Sequence, residues 1–387
     1  MTTYHVSVLG GGQLARMMQQ AAISLDIELK VLAEAPDGSA AKVVPTAPVG
    51  DCRVIDDVQA VLAEPLDVIT FEHEHVPDPV LKEIQKHYPV RPRPEALIYA
   101  QDKLEMRQKI AELGLPVPAF KAIETNSELE TFIDQYGPEV VVKTTRGGYD
   151  GKGVRVVSQA SDIADWLSQD YGLIAEQKIN FSRELAVLVA RRPSGETEVA
   201  GQKRAGEMKC WPITQTEQRD GVCYSAIAPA PNLDPKVAEK ALEAAQIIAA
   251  ELDVTGVLAV EMFLCDDEGT FYINELAMRP HNSGHWTIDG AHTSQFAQHL
   301  RAVLDLPLTS PELSCGTAVM VNLLGSNLVD PAAAIGQVAQ VAPEARVHLY
   351  GKGVRPGRKL GHVTVTGTDY QSCLEQAERA VNVLKGN

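Results

Sequence analysis

Two β-branched runs, Val140-Val141-Val142 and Val154-Arg155-Val156-Val157, flank the segment Lys143-Thr144-Thr145-Arg146-Gly147-Gly148-Tyr149-Asp150-Gly151-Lys152-Gly153. β-branched side chains suit a pleated strand, so the stretch reads as strand, loop, strand. This arrangement excludes one common nucleotide site. A Walker loop ends in Gly-Lys-Ser/Thr and opens a helix, whereas here Gly153 follows Lys152 and a strand comes next. Glycine lets backbone amides approach an anion and the lysines add charge, so the loop is expected to hold phosphate. A solvated hairpin tip fits the same residues.

At 387 residues the chain exceeds what one hydrophobic core supports, and two or three domains are expected. The net charge of −16 argues against a non-specific nucleic-acid binder, so an anionic substrate must be met by a local basic cluster. Six scattered cysteines without a CxxC pair suit reduced thiols. The chain shows neither a signal-peptide pattern nor an apolar run of membrane-spanning length, and the expectation is a cytoplasmic protein with no membrane partner.

From the N-terminus, His5–Leu9 reads as a strand, a helix follows to about Leu25, and Ile27–Leu32 reads as a second strand. Between strand and helix, Gly10-Gly11-Gly12-Gln13-Leu14-Ala15 has the G-x-G-x-x-A form of a dinucleotide fingerprint, with Glu34 as the acid further on. The same turn can cradle any phosphate, or simply join strand to helix. Leu66–Phe71 is a further strand leading into Glu72-His73-Glu74-His75, where alternation puts the glutamates on one face and the histidines on the other. A substrate contact from Glu72 is the expectation there, with solvated loop charge the plain alternative. Pro89 to Pro94 ends this first unit. A charged helix is expected over Ala100–Leu113, beginning near Asp102-Lys103 and closed by Gly114, then a capping box at Ser127–Glu130 and a helix near Ser161–Gln169.

The second informative stretch lies later. Val257–Leu264 and Thr270–Leu276 are joined by Cys265-Asp266-Asp267-Glu268-Gly269, which reads as a hairpin. A turn centred near Glu268 sets Leu264 opposite Tyr272 and Glu261 opposite Glu275. Opposed like charges among apolar neighbours are unfavourable, and a divalent cation such as Mg²⁺ between them removes the conflict. A register one residue away turns the two glutamates to opposite faces. Arg279-Pro280-His281-Asn282-Ser283-Gly284-His285-Trp286 follows as a polar loop suited to an anion, and Tyr350–His362 is a second glycine-rich basic loop whose arginines match phosphate geometry.

The order of these pieces resembles the ATP-grasp superfamily. Gly10–Leu14, Thr70-Phe71-Glu72, Gly147–Gly153, Asn274–Ala277, Arg279–His285 and the Tyr350–His362 loop are together similar to the N5-carboxyaminoimidazole ribonucleotide synthetase family over essentially the whole chain. The resemblance implies a mixed α/β and α+β chain: a Rossmann-like preATP-grasp domain (1–100), an ATP-grasp domain (101–310) with a lid at about 120–185, and a small C-terminal β-rich domain (311–387). It implies that ATP phosphorylates bicarbonate to carboxyphosphate, that the amine of aminoimidazole ribonucleotide is carboxylated, and that the enzyme works as a homodimer.

The same resemblance assigns residues. Lys103 and Lys143 are expected on ATP phosphates, Gly148, Tyr149, Asp150, Gly151, Lys152, Gly153 and Val154 in the lid, Glu176, Gln177, Lys178 and Ile179 at the adenine, and Glu184 on the ribose. Glu261 and Glu275 are expected to bind Mg²⁺ beside Asn274. Asp150 and Lys352 are implicated in the chemistry, and Arg279 in stabilising the transferring phosphoryl group. Gln13, Leu14, Glu72, His281, Asn282, Ser283, Lys352, Arg355 and Arg358 are candidates for ribonucleotide and bicarbonate contacts. Three positions depart from the pattern: Ala15 for glycine, Lys103 where arginine is frequent, and Met278 for proline. Rival readings are another ATP-grasp ligase or formate-using transferase, a nicotinamide dehydrogenase built on the glycine fingerprint, and a non-catalytic nucleotide binder.

Overall fold

The computed structural model describes residues 3–147, 153–169 and 172–387. Gly148, Tyr149, Asp150, Gly151 and Lys152, assigned above to the lid, therefore lie outside the described residues.

The N-terminal unit is a parallel sheet of β1 (Tyr4–Leu9), β2 (Ile27–Leu32) and β3 (Val68–Phe71) in the order β2-β1-β3, with the helix Gln13–Ser24 crossing between the first two strands. Val6, Val8 and Leu9 on β1 are fully buried, as expected of a parallel strand covered on both faces. The charged helix expected to begin near Asp102-Lys103 runs over Lys103–Glu112, and a second helix, Pro94–Gln101, precedes it where none was expected. Asp102 separates them because its extended backbone and its carboxylate, which accepts from the Leu104 and Glu105 amides, cap the second helix.

A second sheet comprises β4 (Phe120–Ile123), β5 (Val140–Thr144), β6 (Val154–Val157) and β7 (Leu173–Gln177), all antiparallel in the order β4-β7-β5-β6. The expected capping box at Ser127–Glu130 sits two residues earlier. Thr125 and Glu128 exchange the two reciprocal bonds that open the helix Asn126–Tyr136, since Thr125 is the residue with extended backbone. Over the expected helix Ser161–Gln169 the chain makes only a 3₁₀ turn, Ala160–Ile163, and one α turn, Ala164–Leu167.

The third sheet organises the remainder. It contains β8 (Arg183–Val199), β9 (Gln202–Cys210), β10 (Thr214–Arg219), β11 (Val222–Ala228), β12 (Gly256–Cys265), β13 (Thr270–Ala277), β14 (Thr317–Leu324), β15 (Arg346–Leu349) and β16 (Lys359–Gly367). The order is β13-β12-β8-β10-β11-β14-β16-β15, with β9 also on β8. The strands expected in a separate C-terminal domain thus continue the same sheet, β14 pairing directly with β11. On one face, Leu185, Val187, Val189, Leu258, Val260 and Met262 pack against Ala241, Ala244, Ala245 and Ile248 of the helix Pro235–Glu251. Burying each of the larger side chains contributes about 1.5–3 kcal/mol, which fixes the helix on that face. The opposite face of β8 carries Glu184, Ala186 and Leu188, and Ala186 lies opposite Glu261 on β12. Glu184 and Glu261 therefore share a face.

The hairpin register differs in part from expectation. Leu264 lies opposite Phe271, and Phe263 opposite Tyr272, because the turn is a 3₁₀ segment at Asp266–Glu268 closed by left-handed Gly269. Continued unbroken, this register would set Glu261 against Asn274. A β-bulge at Asn274 shifts the ladder by one, and Glu261 pairs with Glu275 as expected.

Candidate functional site

Lys143 sits on β5, nearly buried, with its ammonium 3.0 Å from a Glu176 carboxylate oxygen and 3.1 Å from Asn274 Oδ1. Glu176 on β7 is 2 % exposed, and its other oxygen accepts from Arg107 Nε at 2.8 Å. Burial opposes the charge on Glu176, but Arg107 and Lys143 outweigh it and hold the carboxyl at about 2. Both carboxylate oxygens are thus taken up by cations. Lys103, first in its helix, donates its backbone amide to Thr145 O at 2.8 Å and its ammonium to Gly147 O at 2.9 Å, at the near end of the glycine loop. Burial, with Lys143 close by, lowers the Lys103 pKa against the pull of Glu275 and Glu176. Gln177 closes β7, its amide donating to Ala119 O at 2.8 Å. Lys178 is exposed and ion-paired with Glu139, and Ile179 is half-buried beyond the strand end. Gly153 and Val154 lead into β6, the Gly153 carbonyl accepting from Thr144 N at 3.0 Å.

On the adjoining sheet, Glu261 and Glu275 face each other, with Glu184 on the same side. Glu184 is raised to about 7, by burial and then by the Glu261 charge. Glu261 lies below the usual carboxylate range despite burial, because His281 Nε2 stands 3.0 Å away and Arg279 and Lys359 add positive field. The face thus carries more carboxylate than its protein partners neutralise, and this fits a divalent cation. Among the described residues no group of three or more His, Cys, Asp or Glu side chains closes a metal cage by itself. Such an ion would need further oxygen ligands from outside the protein, as Mg²⁺ takes from nucleotide phosphates.

The polar loop after β13 is held by a residue the sequence did not mark. Gln295 is fully buried; its Oε1 accepts from His281 N at 2.8 Å, and its Nε2 donates to His281 O at 2.7 Å and contacts His285 Nδ1 at 3.0 Å. A Cβ at Gly284 would lie 2.5 Å from Leu188 Cδ2 and 2.6 Å from Gln295 Oε1, so a larger residue there would displace buried side chains. Ser283, fully buried, bonds His281 Nδ1 at 2.9 Å and so fixes the imidazole rather than facing a cleft. Asn282 Oδ1 accepts from Asn322 Nδ2 at 3.2 Å. Arg279 is paired with Glu74 at 2.8 Å. No sequence motif marks Glu74 as a partner for Arg279, because the two lie far apart along the chain.

The glycine turn at the N-terminus does not present free amides. Glu72 accepts from Gly12 N at 2.8 Å and Leu14 N at 3.1 Å, while Glu34 reaches back to Gly11 N at 3.2 Å. Carboxylates of the chain itself therefore cap the helix where a dinucleotide phosphate would sit, which removes the basis of the nicotinamide reading. Gln13 points elsewhere, its Oε1 accepting from Lys352 Nζ. That bond joins the N-terminal unit to the C-terminal basic loop, reinforced by Ser39 Oγ donating to Tyr350 O at 2.6 Å. Burial lowers the Lys352 pKa, and Arg358 and Lys359 add to this against Glu72 and Glu34. Arg358 donates to Gly353 O at 3.0 Å, and Arg355 is exposed at the loop tip. Behind the loop Tyr350 OH bonds His362 Nδ1 at 2.7 Å, both side chains buried, and half-buried His348 Nε2 bonds Asp289 at 2.7 Å, a polar wall that no local motif announced.

The structure thus brings together two groups: Lys103, Lys143, Glu176, Asn274, Glu275, Glu261 and His281 around the sheet junction, and Gln13, Glu72, Lys352 and Arg358 around the N-terminal turn. Three family models match the chain: ribonucleotide synthetase preATP-grasp domain over residues 1–101, ATP-grasp domain over 108–296, and phosphoribosylaminoimidazole carboxylase C-terminal domain over 318–376. The N5-carboxyaminoimidazole ribonucleotide synthase of Mycobacterium tuberculosis is 45% identical over 388 residues, covering 98% of this chain and 87% of the relative. That of Corynebacterium ammoniagenes is 44% identical, covering 98% and 91%. Among solved structures, the Aspergillus clavatus carboxyaminoimidazole ribonucleotide synthase complexed with ATP superposes with a TM-score of 0.87 at 33% identity, covering 99% of this chain and 98% of the other. The Aspergillus clavatus N5-carboxyaminoimidazole synthase in complex with ADP and 5-aminoimidazole ribonucleotide gives 0.86 at 32% identity, covering 100% and 99%. No described helix is long and apolar enough to cross a membrane.

Proposed function

Because the chain belongs to the N5-carboxyaminoimidazole ribonucleotide synthase family of ATP-grasp ligases, we propose how its own residues divide that family's reaction between them. The protein is an ATP-dependent ligase of purine biosynthesis that carboxylates 5-aminoimidazole ribonucleotide. The γ-phosphoryl group of ATP passes to a bicarbonate oxygen, giving ADP and carboxyphosphate. The exocyclic amine then bonds the carboxyl carbon, either of carboxyphosphate as its bond to the phosphate oxygen breaks or of CO₂ set free when that bond breaks first; on both routes phosphate leaves and the amine gives up one proton.

One observation carries the assignment of the nucleotide end. Lys143 Nζ touches Asn274, the bulged residue beside the facing Glu261 and Glu275. A phosphate-binding cation and the paired carboxylates are therefore adjacent, as phosphoryl transfer needs. Lys103 and Lys143 hold the phosphates of ATP; Gln177, Lys178 and Ile179 lie along the adenine, and Glu184 at the ribose. Glu261 and Glu275 hold Mg²⁺, which when bound neutralises charge on the phosphates. Arg279, kept cationic by Glu74 against the cost of burial, stabilises the transferring group. Lys352, Arg355 and Arg358 receive the anionic part of the ribonucleotide, with Gln13 orienting Lys352. Asp150, outside the described residues, is assigned to the acceptor chemistry on resemblance alone. Bicarbonate as carboxyl source and assembly as a homodimer belong to the same proposal.

The test is ADP release from ATP and bicarbonate, with and without aminoimidazole ribonucleotide. Strong stimulation by the ribonucleotide is expected. Stimulation by a different acceptor, with none by this one, would transfer the protein to another ATP-grasp ligase.

A further inference from the structure

Among the described residues, Arg107 is the one Lys, Arg, Asp or Glu side chain with no exposure at all, and the roles above leave it unused. It lies on the same helix as Lys103, one turn further on and facing inward. Beside a long contact from Nη1 to Met106 Sδ at 3.5 Å, its guanidinium makes two bonds to oxygen in different directions. Nε donates to Glu176 Oε1 at 2.8 Å, and Nη1 donates to the carbonyl of Ile273 at 2.9 Å. The third nitrogen, Nη2, is buried without a partner. Desolvating a guanidinium so fully is costly, and core stability alone does not call for it: an apolar side chain would fill the space without that cost.

The two acceptors explain the retention. Glu176 shares its other oxygen with Lys143 at 3.0 Å. Ile273 immediately precedes Asn274, where the β12–β13 ladder shifts by one residue to set Glu261 opposite Glu275. We propose that Arg107 is a positioning residue which, through one guanidinium, fixes both the phosphate-binding lysine on the lid sheet and the bulge that turns the paired carboxylates to the same face. This rests on the assignment of Lys143 to ATP phosphates and of Glu261 and Glu275 to the metal.

The electrostatic logic is specific. With Arg107 present, Glu176 is neutralised from behind and Lys143 retains attraction for an incoming anion. Without Arg107, the buried Glu176 carboxylate has Lys143 as its main counter-ion and draws the ammonium out of the nucleotide cleft. Removal of the bond to Ile273 also releases the bulge carbonyl, so that the ladder can relax toward the register set by the turn.

Binding of a non-hydrolysable ATP analogue with Mg²⁺, measured by calorimetry, tests this in Arg107→Met, Glu176→Gln and the double variant, with Lys143→Met as control. Arg107→Met is expected to lose roughly tenfold or more in analogue affinity, the scale of a buried bond to a charged group, with the KM for ribonucleotide unmoved. The double variant is expected to regain most of the loss, because no uncompensated carboxylate remains to capture Lys143. Additive losses in the double variant, or full affinity in Arg107→Met, would overturn the proposal. If Lys143→Met itself keeps full affinity, the fault lies with the assignment of Lys143 and not with Arg107. Should Arg107→Met fail to fold, Arg107→Lys carries the test. A lysine serves Glu176 but not Ile273, so analogue affinity at saturating Mg²⁺ should hold while the Mg²⁺ concentration for half-maximal activity rises several-fold; an unchanged Mg²⁺ requirement would refute the second arm.

Discussion

Glu261 and Glu275 stand opposite each other only because Asn274, next to Glu275, is bulged out of the ladder. Directly paired glutamates destabilise a sheet, and a bulge is the device by which a strand re-aims a side chain at a site. Glu275→Gln should therefore stabilise the ligand-free protein slightly, by a few tenths of a kcal/mol, whereas Glu261→Gln forfeits the attraction of His281 and should not. Each should also lower ATP-dependent turnover by roughly 100-fold or more and raise the Mg²⁺ requirement. Thermal denaturation beside Mg²⁺-dependent kinetics checks both halves; unchanged Mg²⁺ dependence would sink the pairing argument.

The basic C-terminal loop should separate acceptor from nucleotide. Lys352→Ala removes the contact to Gln13 and a cation that feels the charges of Glu72 and Glu34. The KM for aminoimidazole ribonucleotide should rise at least tenfold while the affinity for ATP changes little. Steady-state kinetics with each substrate varied in turn decides it, and equal losses would count against the assignment.

Glu184 gives a pH signature. Its folded pKa of about 7 lies above its unfolded value of 4.5. A raised carboxyl contributes stability that is complete below the unfolded value and is lost as pH rises through the folded one. Between about pH 4.5 and 7 the native state binds the extra proton, so this residue makes stability fall with rising pH. Glu184→Gln should flatten that part of the profile, measured by urea denaturation at several pH values without nucleotide or Mg²⁺. A profile identical to the parent would contradict the shift.

Gly284→Ala should damage the site without touching any group that meets substrate. The added methyl collides with Leu188 and with the amide that clamps His281. A loss of about 1–3 kcal/mol in stability is expected, together with lowered turnover, because His281 leaves Glu261. Calorimetry and kinetics on one preparation suffice.

Local pattern was enough for much of this fold. The β-branched runs around Lys143 and the apolar alternation of β12 and β13 form strands where they should, because each strand's burial is written in its own residues. The facing glutamates were also legible, although by a compensating route: the expected turn centre was half a residue out, and the bulge restored the pairing. What stayed hidden is non-local. Arg107 with Glu176, Glu74 with Arg279 and Gln295 with His281 join residues from separate elements, and no spacing rule encodes such a bond. The glycine turn failed for the converse reason. Its motif describes amides that can bind an anion, and says nothing of whether Glu34 and Glu72 are there to fill them.

The pairing of β11 with β14 has a consequence for how such a chain can diverge. A specificity module appended through a linker can be exchanged by recombination, since the parent keeps its edges intact. Here the strands beyond residue 311 are staves of the same sheet that carries Glu184 and Glu261, and cutting them away would strip the hydrogen-bonding edge of β11. A new acceptor is therefore reached more readily by substitution within the Tyr350–His362 loop than by wholesale replacement of the C-terminal third.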